Sequence, residues 1–598
     1  MAVLAPAAAI VRRIDTSRAT GMTPKATLRR RSPVESGPWP EHIPPLLQRI
    51  YGARGAGSIE QAQPRLANLL PPDSLLGLDA ATKLLADAIA ADRHIVVVGD
   101  FDCDGATACA VGVRGLRMLG ARRVSHAVPN RIVHGYGLSP ALVEELAAMQ
   151  PELLVTVDHG IACNAGIAAA KAHGWEVLVT DHHLPGETLP PADAIVDPNQ
   201  PGDPFPSKVL AGVGVMFYVL LALRRRLRDS GAFGGNSPDL SSLLDLVAVG
   251  TVADLVPLDA NNRALVSAGL RRLRAGRGCA GLHALIEVAQ RDPARLTASD
   301  IGFAIAPRLN AAGRLEDMAL GIECLLTDDS TQAREIANTL NRINLERRAV
   351  QQQMVDEADA AFARIAVDVA TAPVAVCLHD PDWHPGVIGL VASKLKERLH
   401  RPVIAFAPAE PGSDQLRGSA RSIPGFHIRD ALAEVDARHP GLIGKFGGHA
   451  MAAGLSLPTR ALHAFEQAFQ LCAATLLTAD LLRAEVLSDG ELQRTEFSRQ
   501  HAEALRNGGP WGQAFPEPQF DGEFSVARWR VVGERHLKLE LDHGGLRLNA
   551  IHFGGWDGQE PSSRMRIAYR LEPDDYRGGD AIQLVVVHRE PIHLAPSV

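Results

Sequence analysis

The chain has 598 residues, of which 46% are hydrophobic and 22% charged, with a formal net charge of −7. That length exceeds a single hydrophobic core and calls for two to four domains. The mild acidity excludes a wholesale cationic coat for nucleic acid while leaving room for a local basic groove. The seven cysteines stand singly without a CxxC pair, which argues against a thiolate zinc site and fits structural thiols in a reducing compartment.

In chain order, the first stretch is MAVLAPAAAIVRRIDTSRATGM, whose arginines follow its short apolar run, the reverse of a secretory signal. An organelle transit peptide competes with an untidy start in which Met22 is the true first residue. The second reading is preferred, with residues 1–44 as a disordered extension of a cytoplasmic protein. No apolar run approaches the roughly 20 residues of a membrane span, so no membrane association is expected.

From about residue 80 to 260, strands alternate with helices. HIVVVGD (His94–Asp100), LLVTVDHG (Leu153–Gly160), EVLVTDHH (Glu176–His183) and AIVDPN (Ala194–Asn199) are continuous Val/Ile/Leu runs, and the segments between them have helical spacing. Such runs predict a parallel sheet covered on both faces, whose ligands gather beyond the carboxyl ends of the strands. The expected catalytic domain spans 45–327. Residues 328–371 contain no Gly or Pro and predict a long connecting helix. A second α/β domain is expected over 372–458. A helical linker and a small barrel of the OB type follow over 459–598, where alternating residues and Gly-bearing turns dominate.

The chemistry lies at the strand ends. GDFDCDG places Asp100, Asp102 and Asp104 at every second position, so two or three carboxylates converge on one face if the segment is extended. TVDHG adds Asp158, TDHH adds Asp181, His182 and His183, and GTVADLVPL adds Asp254. Converging carboxylates repel unless a cation neutralises them. Hard oxygen donors with a few imidazoles suit two Mn²⁺ or Mg²⁺ ions in a centre for phosphoryl displacement. Any single Asp after a strand is more often a turn or helix cap; the case rests on four clusters at successive strand ends. An EF-hand fails, because Gly105 directly follows the third Asp and Val111 stands where the bidentate Glu belongs. Cys103 reads as a small packed side chain, since nothing marks it as an activated thiol.

GDFDCDGATA, NRIVHGYG, TVDHG, TDHH, DPN, GTVADLVPLDANNR and APRLNAAGR, followed by SARS and GKFGGHAMAAG, occur in one order that resembles the RecJ-type single-stranded-DNA exonucleases of the DHH phosphoesterase superfamily. The likeness runs from about residue 45 to the end. It implies Asp102, Asp104, Asp158, His182 and Asp254 as metal ligands, with Asp158 bridging two ions. His183 would contact the reacting phosphate or its water, and Asp181 would orient an imidazole. Many superfamily members carry a histidine where this chain has Val98, which leaves Asp100 as ligand or support. Arg131, Tyr136, Arg308, Asn310, Ser419, Arg421 and His449 are implied as substrate contacts. Asn130 shares the loop of Arg131 and Tyr136. Arg308, Asn310 and Arg314 look like inter-domain or strand-backbone contacts, and Ser419, Arg421 and His449 belong to a DHH-associated (DHHA1) domain that grips substrate opposite the metals. Asp197 with Asn199 either braces a loop or joins the chemistry. His384 either reaches the cleft or caps the following helix, the second reading being preferred. Trp529, Arg530, His536 and Lys538 are candidates for holding the strand on the barrel, with Trp529 equally suited to its core.

The implied function is metal-dependent 5′ to 3′ degradation of single-stranded DNA to mononucleotides in repair and recombination, with a helicase and a single-strand-binding protein as candidate partners. Two rivals remain. One is a DHH hydrolase of short oligonucleotides or cyclic dinucleotides, which would need neither long helix nor barrel. The other is a metal-free replication scaffold, which should have lost several of these carboxylates.

Overall fold

The computed structural model describes residues 26–32, 37–130, 133–315, 317–363, 373–448 and 450–592. The expected parallel sheet is present, with five strands in the order Val124–Ala127, Ile95–Val98, Leu153–Val157, Glu176–Thr180, Ala194–Val196. Successive side chains of one strand enter different cores. Ile95 and Val97 pack in the large core with the helices Cys103–Met118 and Gly212–Asp229, whereas Val96 and Val98 pack against Leu142, Val143 and Ile167 on the other face. This period-2 division is why the strands read as unbroken apolar runs. From Ile95–Val98 the chain moves outward to Val124–Ala127 and then crosses back to Leu153–Val157. The loops after Ile95–Val98 and Leu153–Val157 therefore diverge, and a crevice opens at that switch of direction.

By packing, the chain forms two compact units. The first joins Arg30–Arg347 with Ser488–Val598. Its second part is a closed five-stranded barrel of Phe520–Val532, His536–His543, Leu546–His552, Ile582–Pro591 and Arg564–Pro573, filled by Phe520, Phe524, Leu539 and Tyr569. Register shifts between Val526 and Arg528 and between Ala568 and Tyr569 supply the bends that closure requires.

The second unit, Arg348–Leu487 with the described residues before Arg30, holds a mixed sheet ordered Lys445–Gly448, Ala452–Pro458, Gln415–Arg421, Val403–Pro408, Val376–His379. It runs past the expected limit at residue 458. The helix Leu462–Leu476 buries Phe465 and Phe469 in the same core as Phe406 and Leu416. The long helix spans Ser330–Ala363, and the remainder of the 328–371 expectation lies outside the described residues.

The extension expected to be disordered to residue 44 contains ordered parts. Thr27–Arg30 is a strand paired with Glu485–Ser488, the Trp39 ring lies 5.7 Å from that of Tyr51, and Ile43 is buried. A partner more than 450 residues away leaves no local periodicity to read. Among the described residues no helix is long and apolar enough to cross a membrane.

Candidate metal centre

The acidic loop begins where Ile95–Val98 ends. Gly99 and Gly105 allow it to fold back on itself: a Cβ on Gly105 would lie 2.5 Å from the Asp100 amide nitrogen. Asp102 is the N-cap of the helix Cys103–Met118 and accepts from the Gly105 N–H at 3.0 Å. Asp104, in the first turn of that helix, is fully buried and accepts from the amides of Gly212 (2.7 Å) and Val213 (3.1 Å). The first turn of the helix Gly212–Asp229 thus places its unsatisfied donors on this carboxylate. Asn310 fastens the loop from a third side, its Oδ1 accepting from the Cys103 N–H at 2.8 Å.

Asp158 follows the neighbouring strand with φ at +64°, a left-handed backbone that turns its buried carboxylate into the crevice. His182 Nε2 lies 3.0 Å from Asp158 Oδ1 and 3.5 Å from Asp254 Oδ2. Three sets of donor atoms each fall within 4.8 Å of one another: Asp100, Asp102 and Asp158; Asp104, His182 and Asp254; and Asp158, His182 and His183. Asp181 stands behind them. Its Oδ1 accepts from His183 Nδ1 at 2.8 Å and from the His182 and His183 amides, and its Oδ2 accepts from the Ile161 N–H. Its side chain therefore orients the ring of His183 and not that of His182. Asn199 steadies His182 through the backbone, donating from Nδ2 to the His182 carbonyl at 2.6 Å.

The charges divide sharply. Burial, followed by repulsion from neighbouring carboxylates, pushes Asp100 and Asp104 up to about 7 and Asp254 up to about 9, and holds Asp158 well above the carboxylate range. Asp181 behaves oppositely. Burial works against its charge, yet the hydrogen bond and charge of His183 hold it down to about 2. For His183, burial opposes protonation, but Asp181 and the surrounding carboxylates raise it to about 9. Cys103 is pushed far up by burial and its acidic neighbours, which removes it as a nucleophile.

With this geometry in place, comparison with known proteins is decisive. Residues 94–251 match the model of the DHH family N-terminal domain, 367–475 the DHHA1 domain, and 488–588 the RecJ OB domain. The chain is 49% identical over 571 residues to the single-stranded-DNA-specific exonuclease RecJ of Dickeya dadantii, covering 94% of this chain and 99% of that one. It is 47% identical over 579 residues to that of Escherichia coli, covering 96% and 100%. The chain belongs to the RecJ family. The crystal structure of RecJ in complex with Mn²⁺ from Thermus thermophilus superposes with a TM-score of 0.74 at 31% identity, covering 95% of this chain and 80% of that one. The Mg²⁺ complex from the same organism gives 0.70 at 30% identity, with 95% and 79% covered.

The residues of this RecJ-family chain fit such ions. Asp100 Oδ1 is buried without a hydrogen bond among the described residues, and carboxylates this close are tolerated only if protonated or bound to a cation. Asp100, Asp102, Asp104, Asp158, His182 and Asp254 are the donors placed to hold two ions.

The implied substrate contacts fall in different places. Tyr136 lies at the mouth of the crevice, its hydroxyl 3.5 Å from both ring nitrogens of His183 and its ring edge-on to Phe101. Arg131 and His449 lie outside the described residues. Arg308 is buried, its guanidinium donating to Asn341 Oδ1 (3.0 Å) and the Ala304 carbonyl, and Asn310 is committed to Cys103. In the second unit, Arg421 donates to Ser419 Oγ (3.0 Å) and Ser393 Oγ (3.2 Å). No carboxylate lies within ion-pair distance of Arg421 among the described residues. His384 accepts from the Gly386 N–H at 3.0 Å, a bond inside the turn before the helix Ile388–Leu399, whose N-cap is Val387, so His384 does not cap that helix. On the barrel, the Trp529 ring is partly exposed and stacks on Trp556 at 5.6 Å. His159 Nε2 lies 3.0 Å from the Val98 carbonyl, tying the ends of two neighbouring strands together.

Two residues escaped the sequence reading. Gly212 and Gly250 permit the close approach of Asp158 and Asp104: an added Cβ would lie 2.5 Å from Asp158 Cβ in one case and 2.7 Å from Asp104 Oδ1 in the other. The small-residue helix start AGVGV was the available signal for Gly212. Beside the Asp254 segment opens a cleft of about 760 Å³, lined in part by Arg65, Arg271, Arg274, Arg506, Phe303 and Trp511. Arginines with exposed rings suit a polyanion bearing bases.

Proposed function

We propose that this chain is a cytoplasmic 5′ to 3′ exonuclease that degrades single-stranded DNA to mononucleotides by two-metal hydrolysis, in DNA repair and recombination and alongside a helicase and a single-strand-binding protein. The observation that carries this reading is the convergence of Asp100, Asp102, Asp104, Asp158, His182 and Asp254 at the switch point of the parallel sheet. The RecJ kinship supports DNA as the substrate.

Two divalent ions held there would make water nucleophilic near neutral pH and offset the negative charge that develops on phosphate oxygens. The chain itself contributes the rest. Asp104 is fixed by the Gly212 and Val213 amides and Asp102 by the Gly105 amide, so the donors are set before substrate arrives. Asp181 holds the His183 ring by its Nδ1–H, which leaves Nε2 to donate a proton or a hydrogen bond to a phosphate oxygen. Tyr136 closes the mouth and offers its ring face to a terminal base.

The test is degradation of oligonucleotides labelled at either end. With Mn²⁺, a 5′-labelled single strand should release labelled mononucleotide at once, a 3′-labelled strand should shorten gradually, and the duplex and the EDTA control should persist. Early release of mononucleotide from the 3′ label, or equal loss of duplex, would refute the assignment.

A further inference from the structure

Tyr136, at the mouth of the crevice, is flanked on both sides by left-handed backbone. Gly135 and Gly137 have φ of +76° and +71°. Asn130 is joined to Val133 and His134 by three hydrogen bonds. The His134 N–H donates to the Asn130 carbonyl at 2.8 Å, the Val133 N–H to Asn130 Oδ1 at 3.2 Å, and the Asn130 N–H to His134 Nδ1 at 3.0 Å. An Nδ1 that accepts from an amide carries no proton, so the neutral ring has its proton on Nε2. That nitrogen lies 3.1 Å from Glu145 Oε2, on the helix Pro140–Leu146 that follows the loop. Glu145 thereby fixes both tautomer and ring orientation, and the ring fixes the loop.

We infer that His134, oriented by Glu145, is a positioning residue for substrate binding: it holds the segment that carries Tyr136 in register with the metal centre. The inference rests on the nuclease reading above. His134 is buried beneath the loop, with 8% of its side chain exposed, so it supports the loop without facing the strand. Glu145 is 69% exposed, so replacing it alters the surface and not a core.

The role predicts a split between binding and turnover. A segment that has lost these bonds still passes through the productive shape, so saturating substrate recovers the rate while affinity falls. In His134→Leu and Glu145→Leu, KM for a 5′-phosphorylated single strand should rise about tenfold, the effect of one hydrogen bond of this kind, with kcat within about twofold of wild type. His134→Asn, which keeps a polar group near the Nδ1 position, should lose less than His134→Leu. Glu145→Gln keeps an acceptor for Nε2–H and should retain the wild-type KM. Binding of a 3′-fluorescein-labelled oligonucleotide to the metal-free full chain, followed by anisotropy, should weaken in the same order. A fall in kcat at unchanged KM would overturn the inference, as would a Glu145→Gln variant as impaired as Glu145→Leu. Should His134→Leu fail to fold, the Glu145 pair decides alone. Wild-type protein that leaves the strand intact would instead refute the nuclease reading.

Discussion

The backbone N–H of Gly212 donates to Asp104 Oδ2 at 2.7 Å, and the α-carbon of the same glycine faces Asp158 so closely that a Cβ would sit 2.7 Å from the Asp158 Cα. One residue without a side chain thus sets the spacing of two carboxylates, one in the first turn of a helix and one after a strand. Gly212→Ala should push Asp158 and Asp104 apart. The loss of a charge-assisted bond of roughly 1.5–3 kcal/mol corresponds to about a ten- to hundredfold fall in activity. Steady-state rates with saturating Mn²⁺ alongside a thermal melt check this. Wild-type activity in a folded Gly212→Ala protein would show that the spacing does not matter.

Metal affinity should depend on pH. Asp100 and Asp104 are held at about 7 and Asp254 at about 9, so below those values the metal-free protein carries protons that a cation must displace. Raised carboxylate values mean that acid competes with metal: affinity for Mn²⁺ should climb from pH 6 to pH 9 and level off above it, with protons released on binding. Calorimetry in buffers of different ionisation enthalpy measures both quantities. A flat affinity without proton release would contradict the charge state derived for the cluster.

Arg421 is half-buried beside Ser419 and Ser393, and burial lowers its pKa. A desolvated guanidinium with no carboxylate partner among the described residues suits a terminal phosphate. Arg421→Ala should cost about ten- to a hundredfold on a 5′-phosphorylated strand and much less on a 5′-hydroxyl strand. The two substrates are compared side by side in kcat/KM, and an equal loss on both would remove the end-recognition role.

Asn310 separates support from recognition. Its Oδ1 binds the Cys103 N–H inside the acidic loop, so Asn310→Ala should lower Mn²⁺ affinity by about tenfold, the scale of one buried hydrogen bond. Metal titration and KM for DNA, measured together, distinguish the cases. A raised KM with unaltered metal affinity would return Asn310 to the substrate surface.

The sheet and its acidic ends were legible because both signals are local. Unbroken runs such as IVVV and LLVTV report strands buried on two faces, and the Asp one or two residues after each run lies where the crevice opens. The supports were not legible, because each joins residues far apart in sequence. Gly212 reaches back to Asp104, Asn310 to Cys103, and Thr27–Arg30 to Glu485–Ser488. Arg308 adds another such contact, donating to Asn341 Oδ1, 33 residues further along the chain. The early end assigned to the second domain has the same origin, since nothing near Leu462 reveals that Phe465 and Phe469 fill the core of the preceding sheet.

The central claim is that Asp158 and His182 belong to a two-ion centre. Its most direct measurement is the number of Mn²⁺ ions bound per chain, counted by electron paramagnetic resonance of free Mn²⁺ during titration, for wild type, Asp158→Asn and His182→Ala. Wild type should bind two ions, and both variants should lose at least one together with all hydrolysis while melting as cooperatively as wild type. Two ions retained and near wild-type cleavage in either folded variant would contradict the assignment.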